Sequence, residues 1–203
     1  MTTAFERMEP GARKANKRHI LASALACFDE QGIDATTIEH IRQRADSSIG
    51  TIYHHFGSKE GLIAALFFVA LADQQAQMEA VIEHSTTAEQ TVKGIIGVYM
   101  EWVAAQPELA RFMFQARTVV GASEHQNRLN ERNKSFYRRF FVLLAEAQDR
   151  NEIKALPTEV YMPLIIGQAE SYCRAWLSGR VHTSPKQYVD VFAQAVWQSL
   201  EPW

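Results

Sequence analysis

Apolar residues recur at helical spacing along most of this 203-residue chain, and this pattern constrains the fold more than any other feature. The first clear apolar stripe comprises Ile20, Leu21, Ala24, Leu25 and Phe28. Gly32 follows this stripe and predicts the end of the helix that carries it. The sequence shows no β-hairpin signature and no sustained alternation of apolar and polar residues. We therefore predict an all-α fold.

Capping residues and prolines divide the pattern into about nine helices. The predicted helices cover residues 12 to about 31, 36 or 37 to 45, 48–55, 58–84, 88–105, 107–121, 124–150, 157–179 and 185–200. Pro107, Pro157 and Pro185 each lie just inside a predicted start, where a missing amide hydrogen costs little. Residues 1–11 carry no such pattern, and we predict a disordered tail there.

The composition favours a soluble protein of a reducing compartment. Cys27 and Cys173 lie far apart among apolar neighbours, which argues against a disulfide framework. Residues 2–9 contain no apolar core of a signal peptide. The longest nearly apolar run, 61–72, falls well short of the roughly 20 residues that cross a bilayer. We expect a cytoplasmic protein without a membrane partner, and its net charge of −2 requires any nucleic-acid site to be local.

The segment 36–62 reads as two short helices joined by a tight turn, followed by the cap of a third helix. The apolar residues that would pack its first helix are Ile38, Ile41 and Ala45. The turn needs a residue that tolerates positive φ, and Asp46 can adopt that conformation, though less readily than glycine. Ser48 is then a suitable N-cap for the second helix. This arrangement predicts a helix-turn-helix.

The second short helix carries residues that suit a DNA groove better than a protein core. Gly50 costs roughly 1 kcal/mol in a helix relative to alanine, and one use for it is close approach of the backbone to DNA. Hydroxyl groups suit phosphates, and Ile49 suits a thymine methyl group in the major groove. The residues of the segment that we predict to contact DNA are Thr37, Ser48, Ile49, Gly50, Thr51, Tyr53, His54 and Lys59.

A basic cluster precedes this segment on the first predicted helix. It comprises Arg13, Lys14, Lys17 and Arg18, with no acidic residue between them. Taken alone, such a cluster is usually a solvated helix face. Beside a helix-turn-helix, contact with DNA phosphates is the better interpretation, and we assign it to Lys14 and Lys17.

At this point the sequence resembles the amino-terminal domain of the TetR/AcrR family of bacterial transcriptional regulators. The matching residues are Ile20, Leu21, Ala24, Phe28, Gly32, Thr36, Thr37, Ile41, Ala45, Ser48, Gly50, Thr51, Tyr53, His55, Phe56, Ser58, Lys59, Glu60 and Leu62. The resemblance covers roughly residues 13–63. It implies a three-helix domain at 12–60 that binds double-stranded operator DNA. It also implies a larger helical domain at 61–203 for ligand binding and dimerisation.

Two residues of the turn depart from the family pattern, which usually reads Ala-Gly-Val-Ser. Asp46 stands in place of the glycine and adds a negative charge near DNA. Ser47 stands in place of an apolar residue that helps to hold the two helices together. The second departure should loosen the turn, because it removes buried area, and we expect neither departure to abolish DNA binding. The alternative reading of 36–62, a helical hairpin within a larger bundle, would leave Tyr53 and the two histidines on the surface.

The region after residue 63 is rich in aromatic residues and methionine, which by themselves indicate core packing. The resemblance implies that some of them line a pocket for a small hydrophobic effector. The candidates are Trp102, Phe112, Met113, Tyr137, Phe141, Tyr172 and Trp176. Glu101 or Glu170 could meet a cationic ligand, although a solvated face is the simpler role for each.

An apolar stripe on the last two predicted helices suggests a homodimer interface. Its residues are Ile165, Ile166 and Ala169 on the first helix and Val189, Phe192, Val196 and Trp197 on the second. Such a stripe could also pack entirely within one subunit. A helix-turn-helix that reads two half-sites favours the dimer. Cys173 lies nearby, where a small core residue is a simpler reading than a redox sensor.

The sequence thus predicts a ligand-responsive DNA-binding regulator, most simply a repressor that an effector releases from operator DNA. The alternative is a helical carrier of a hydrophobic ligand with a weakened DNA module, which the turn residues Asp46 and Ser47 would favour. An enzyme has little support, because no phosphate loop or nucleophile elbow is found. Adjacent His54 and His55 point in different directions on a helix, so we expect neither a metal nor another cofactor.

Overall fold

A computed structural model describes residues 3–202, and within this range the fold is all-helical, as the sequence predicts. The ten α-helices are α1 (Ala4–Met8), α2 (Ala15–Gln31), α3 (Ile38–Arg44), α4 (Ile49–Phe56), α5 (Lys59–His84), α6 (Ala88–Ala105), α7 (Pro107–Gly121), α8 (Gln126–Asp149), α9 (Thr158–Leu177) and α10 (Val189–Leu200). Short 3₁₀ turns at Ala12–Lys14 and Pro185–Tyr188 precede α2 and α10. The count exceeds the predicted nine because of α1.

Helix α1 lies in the tail that the sequence predicts to be disordered, and this expectation differs from the structure for residues 3–11. Thr3 and Glu6 form a reciprocal capping box at its start. The side chain of Ala4 is buried, and Arg7 donates two hydrogen bonds to Asp73, 66 residues along the chain. The order of this segment thus comes from distant contacts. Met1 and Thr2, also part of the predicted tail, lie outside the described residues.

The described residues form two compact units. The first comprises the chain up to Asp73 together with Glu108–Asn130. The second comprises Gln74–Pro107 and the chain from Glu131 onward. The three divisions fall within α5, after the first residue of α7 and within α8, whereas the sequence places a boundary after residue 60. The predicted boundary divides a DNA-binding part from a part for ligand binding and dimerisation, and this division stays a proposal.

The core of the first unit contains the stripe predicted on α2. Ile20, Leu21 and Ala24 are fully buried, and α2 packs against α3. The Phe28 ring stacks on Phe112 with ring centroids 5.4 Å apart. Helix α3 in turn packs against α4, which inserts Ile52 into the core. The stripe on α2 therefore forms part of the core against which the helix-turn-helix packs.

The core of the second unit is built around α6. Helix α10 packs against α6 and α9, and α9 also contacts α6. Each of the three helices contributes fully buried apolar side chains to this core, among them Ile96, Ile165 and Val196. The apolar stripe of α10 therefore packs largely against helices of the same chain.

Helix α5 (Lys59–His84) is long and apolar enough to cross a membrane by length and composition, and it is the one such helix among the described residues. Of its most apolar window, 72% is buried inside the protein, as in the core helix of a globular fold. The length criterion alone therefore says little about a membrane.

Candidate nucleic-acid interface

The turn between α3 and α4 has the geometry that the sequence predicts. Thr37 caps α3, and its hydroxyl accepts a hydrogen bond from the His40 amide at 3.2 Å. Asp46 adopts a φ of 43°, which lies in the left-handed region. The Ser47 amide then donates to the Arg42 carbonyl at 3.2 Å. The non-glycine residue at the sharpest point of the turn is accommodated without opening it.

Ser48 caps α4 as predicted and also engages Thr51. The Ser48 hydroxyl accepts a hydrogen bond from the Thr51 amide at 3.0 Å. The two side-chain hydroxyls are 2.8 Å apart, a second hydrogen bond between the same residues. Both hydroxyls therefore already have a partner within the protein. Each keeps further capacity for a phosphate oxygen or a phosphate-bound water.

Helix α4 has an inward and an outward face. Ile52 and Phe56 are buried, as predicted. On the opposite side, Ile49 and Tyr53 are 45% and 47% exposed, although both are large and apolar. They lie four residues apart and so share one helix face. Two large apolar side chains thus lie together on the outward face of an eight-residue helix.

Gly50 belongs to the same outward region and is not required by the protein's own packing. A Cβ atom at this position would have the Ser48 hydroxyl as its nearest neighbour, at 3.8 Å, an ordinary van der Waals distance. The residue sits within helix α4 and needs no unusual backbone angle. The fold therefore offers no reason for a residue that weakens the helix.

Most arginines and lysines near the helix-turn-helix have intramolecular partners. Arg42 pairs with Glu39, and hydrogen bonds from Arg42 and Gln43 lower the pKa of Glu39 to about 2. Arg44 pairs with Glu30 at 2.6 Å. Exposed pairs of this kind exchange partners at low cost, so they can open toward DNA phosphates.

Lys59, one of the predicted DNA contacts, also has a partner within the chain. Its ammonium group donates to the Asp34 carbonyl at 3.2 Å. Lys59 therefore ties the start of α5 to the loop before α3. If Lys59 also contacts DNA, it does so in addition to this contact within the chain.

The basic cluster on α2 is more strongly engaged than the sequence suggests. Lys14 and Lys17 both pair with Glu9, at 2.7 Å and 2.6 Å. Arg18 donates to the carbonyl groups of Glu9 and Gly11, at 2.8 Å and 2.7 Å. Sequence analysis missed Glu9 because it lies in the segment predicted to be disordered. Phosphate contact by the two lysines stays a prediction.

Three of the seven predicted effector contacts are buried, and two of these three belong to the first compact unit. Phe112 stacks on Phe28, and Met113 lies beside Phe112 on α7. Trp102 is fully buried on α6, in the second unit. These three side chains pack in a core, which is what aromatic residues and methionine indicate by themselves.

The other four candidates are half-buried residues of the second unit. The Tyr137 ring contacts Phe141 at 5.9 Å between centroids. The Tyr172 hydroxyl donates to the Thr183 carbonyl at 2.9 Å. Trp176 lies near the end of α9. None of the seven candidates lines the open groove of about 590 Å³ between α5 and α6 or the groove of about 340 Å³ along α8, both in the described part of this unit. Their role stays a prediction.

The predicted dimer stripe is largely covered within the chain. Ile165, Ala169 and Val196 are fully buried, and Trp197 is 8% exposed, because α6, α9 and α10 pack on one another. These four residues have almost no area left for a second subunit, so the alternative of packing within the subunit applies to them. The remaining three, Ile166, Val189 and Phe192, are half-buried.

The outward side of the same region holds exposed apolar residues that sequence analysis did not select. Val191 on α10 is 61% exposed, and Tyr188 in the preceding 3₁₀ turn is also exposed. Their signal in the sequence is weak, because Val191 lies off the main apolar stripe by about half a helical turn.

Both cysteines of the chain are buried. Burial raises the pKa of Cys173 to about 12, and burial also raises that of Cys27. Both thiols are therefore protonated and weakly nucleophilic. Among residues 3–202, no group of three or more histidine, cysteine, aspartate or glutamate side chains could hold a metal ion.

Comparison with known proteins relates the helix-turn-helix part of this chain to a family of regulators. Residues 20–66 match the model for bacterial regulatory proteins of the tetR family. An HTH-type transcriptional repressor of Mycobacterium tuberculosis is 33% identical over 106 residues, 48% of this chain and 50% of the relative. The repressor AcnR of Corynebacterium glutamicum is 28% identical over 129 residues, 60% of this chain and 64% of the relative. The matches thus span half to under two thirds of these relatives.

A solved structure extends the likeness to almost the whole fold. The transcriptional regulator FadR from Bacillus subtilis, in complex with stearoyl-CoA, superposes with a TM-score of 0.78 at 20% identity. The superposition covers 90% of this chain and 98% of that one. At this identity it shows the fold alone. Residues 20–66 thus carry the sequence pattern of bacterial regulatory proteins of the tetR family, and the proteins matched in sequence are transcriptional regulators.

Proposed function

We propose that this protein is a dimeric, cytoplasmic transcriptional repressor that a small hydrophobic effector releases from double-stranded operator DNA. Residues 12–60 would form the DNA-binding domain, and residues 61–203 would bind the effector and a second subunit. The outward face of α4 carries the proposal. Ile49 and Tyr53 are about half exposed there, beside a glycine that the protein's own packing does not need.

The chemistry of α4 fits the major groove of DNA. An apolar side chain such as Ile49 can contact a thymine methyl group, and the Tyr53 hydroxyl can donate to a phosphate. His54 is exposed next to Tyr53 and offers a ring N–H to a base edge or a phosphate. Gly50 would let the helix backbone approach the DNA closely. A protein partner would instead demand a wider apolar patch than eight residues provide.

The effector would act by favouring a conformation whose two recognition helices are wrongly spaced for the operator. A ligand shifts such an equilibrium only by its difference in affinity between the two conformations. The structural relative FadR binds stearoyl-CoA, which makes a long-chain acyl-CoA a rational first probe for this chain. The seven aromatic and methionine residues named above are the proposed effector contacts.

Binding of the full-length protein to DNA upstream of its own gene tests the proposal. We expect fluorescence anisotropy to show tight binding to one fragment from this region and at least 10³-fold weaker binding to unrelated DNA at the same salt concentration. Added stearoyl-CoA should weaken the specific complex. Equal affinity for specific and unrelated DNA at every salt concentration would contradict the proposal.

A pair of variants separates the repressor from the alternative of a hydrophobic-ligand carrier. Replacing Tyr53 and His54 with alanine should abolish specific DNA binding and leave acyl-CoA binding unchanged. The matched control, Val142→Ala, removes an exposed apolar side chain from α8 and should leave both properties unchanged. Acyl-CoA binding without specific DNA binding by the unmodified protein would favour the carrier.

A further inference from the structure

The amino-terminal segment, defined here as residues 3–11, is held against the first compact unit by directed contacts. Arg7 donates from Nε and Nη2 to the two carboxylate oxygens of Asp73, at 2.6 and 2.8 Å. The Asp73 side chain is 1% exposed, so this bidentate pair is shielded from solvent on one side. Ala4 is buried as well. The segment therefore has a defined position.

One carboxylate of this segment holds both lysines that we assign to DNA phosphates. Oε2 of Glu9 lies 2.7 Å from Nζ of Lys14, and Oε1 lies 2.6 Å from Nζ of Lys17. Burial would raise the pKa of Glu9, but hydrogen bonds from the two lysines outweigh it and leave that pKa below its ordinary value. Glu9 is thus ionised at neutral pH and satisfies both ammonium groups.

The backbone around Glu9 is fixed by a third cation and a glycine. Arg18 donates from Nη1 to the carbonyl groups of Glu9 and Gly11, at 2.8 and 2.7 Å. Gly11 has a φ of 93°, a conformation that L side chains rarely adopt, and it turns the chain from Glu9 into α2. Glu9 is therefore held over the lysines by its backbone as well as by its charge.

We propose that Glu9 competes with DNA phosphates for Lys14 and Lys17, so that the amino-terminal segment is an intramolecular inhibitor of DNA binding. An ammonium group that pairs with a carboxylate must leave it to pair with a phosphate. DNA therefore binds only at the cost of two ion pairs, which lowers the affinity and the number of counterions released. This inference rests on the proposed function and concerns the regulation of the same site.

The variant Glu9→Gln tests the competition directly. We expect its affinity for DNA at low salt to rise about fivefold, the size expected for freeing two partly exposed ion pairs. The dependence of log Kd on log salt concentration should steepen by up to about 1.8, because each new phosphate contact adds about 0.9. Glu124→Gln is the matched control, since it removes the same charge from a carboxylate that is 88% exposed and whose one ion-pair partner among the described residues is His125, at 3.8 Å.

A second background separates competition from a general effect of charge. In a protein with Lys14→Ala and Lys17→Ala, adding Glu9→Gln should change neither the affinity nor the salt dependence. Gly11→Ala keeps every charge but strains the turn, and it should raise the affinity by a smaller factor. No effect of Glu9→Gln in the unmodified background, or an equal effect in the double-alanine background, overturns the inference.

Retention on heparin distinguishes a failure of this inference from a failure of the proposed function. Heparin is a polyanion that needs no operator recognition, so it reports accessible basic charge, and the comparison with Glu124→Gln isolates the contribution of the two lysines. Glu9→Gln should elute at a higher salt concentration than both the unmodified protein and Glu124→Gln. If no specific DNA is bound but this shift occurs, the inhibitory contact stands and the repressor assignment falls. Equal elution of all three proteins refutes the inhibitory contact.

Discussion

Helices α4 and α10 are both short and both carry apolar residues on more than one side, yet they differ in which of these residues the rest of the protein covers. On α10, Ala193, Val196 and Trp197 are buried because α6 and α9 cover them. On α4, only Ile52 and Phe56 are buried, and Ile49 and Tyr53 remain exposed. Apolar spacing thus identifies a helix face, whereas the neighbouring helices decide whether that face is free for a partner.

The largest expected effect is the loss of stability when the buried face of α10 is truncated. Trp197→Ala should lower the free energy of unfolding by about 3–5 kcal/mol, because a large side chain leaves a cavity among packed helices. Val191→Ala, on the exposed side of the same helix, should change it by less than about 0.5 kcal/mol. Chemical denaturation measures both values. A similar cost for the two substitutions would mean that α10 is not packed as described.

The next effect concerns the exposed face of α4. Tyr53→Phe should leave the free energy of unfolding within about 0.5 kcal/mol, because the Tyr53 side chain is 47% exposed and its hydroxyl has no hydrogen-bond partner among residues 3–202. It should weaken specific DNA binding by about 1.5–3 kcal/mol, the value of a hydrogen bond to a charged phosphate. Anisotropy titrations check the affinity and thermal unfolding checks the fold. Ile52→Ala, by contrast, should lower the free energy of unfolding, because the Ile52 side chain is fully buried.

A smaller effect is expected in the turn that orients α4. Asp46→Ala should destabilise the protein by about 1 kcal/mol, because alanine tolerates the left-handed region less well than aspartate. Asp46→Asn keeps this tolerance and removes the negative charge. It should leave stability nearly unchanged and raise DNA affinity at low salt. Equal stability of the alanine and asparagine variants would show that the φ of 43° is not maintained.

The smallest expected effect is at Gly50, where one substitution should change stability and DNA affinity in opposite directions. Gly50→Ala should raise the free energy of unfolding by about 0.5–1 kcal/mol, because the protein has room for the methyl group and the helix gains propensity. The same change should weaken DNA binding if the backbone approaches DNA closely. Denaturation and anisotropy on one preparation give both numbers. A variant that is more stable and binds DNA equally well would remove the proposed reason for this glycine.

The helix-turn-helix could be predicted from local chemistry. Thr37 and Ser48 cap the two helices as expected, and Asp46 takes the predicted positive φ. Each of these outcomes depends on residues at most four positions apart. The inward direction of Ile52 and Phe56 follows from the same short-range spacing. For this reason the candidate site was the part of the molecule most accessible to sequence reasoning.

The amino-terminal segment could not be predicted in the same way. A five-residue helix has no apolar period to recognise, and α1 is anchored through Arg7 to Asp73, far along the chain. Glu9, which pairs with two lysines of the basic cluster, lies in the same segment. The same limit applies to Trp102 and Phe112, since local sequence shows that they are apolar but not what they contact.

The amino-acid sequence by itself determined the all-helical fold, the limits of most helices and the two faces of α4, because backbone hydrogen bonding, capping and helical periodicity act over a few residues. Only the tertiary structure decided which charges are free, since Lys14 and Lys17 meet Glu9 in a segment with no local signal of order. It also decided that most of the apolar stripe of α10 serves its own subunit. The burial of α10 depends on helices distant in the chain, whereas the Glu9 pairs join an irregular segment to the helix that follows it, and helical spacing encodes neither.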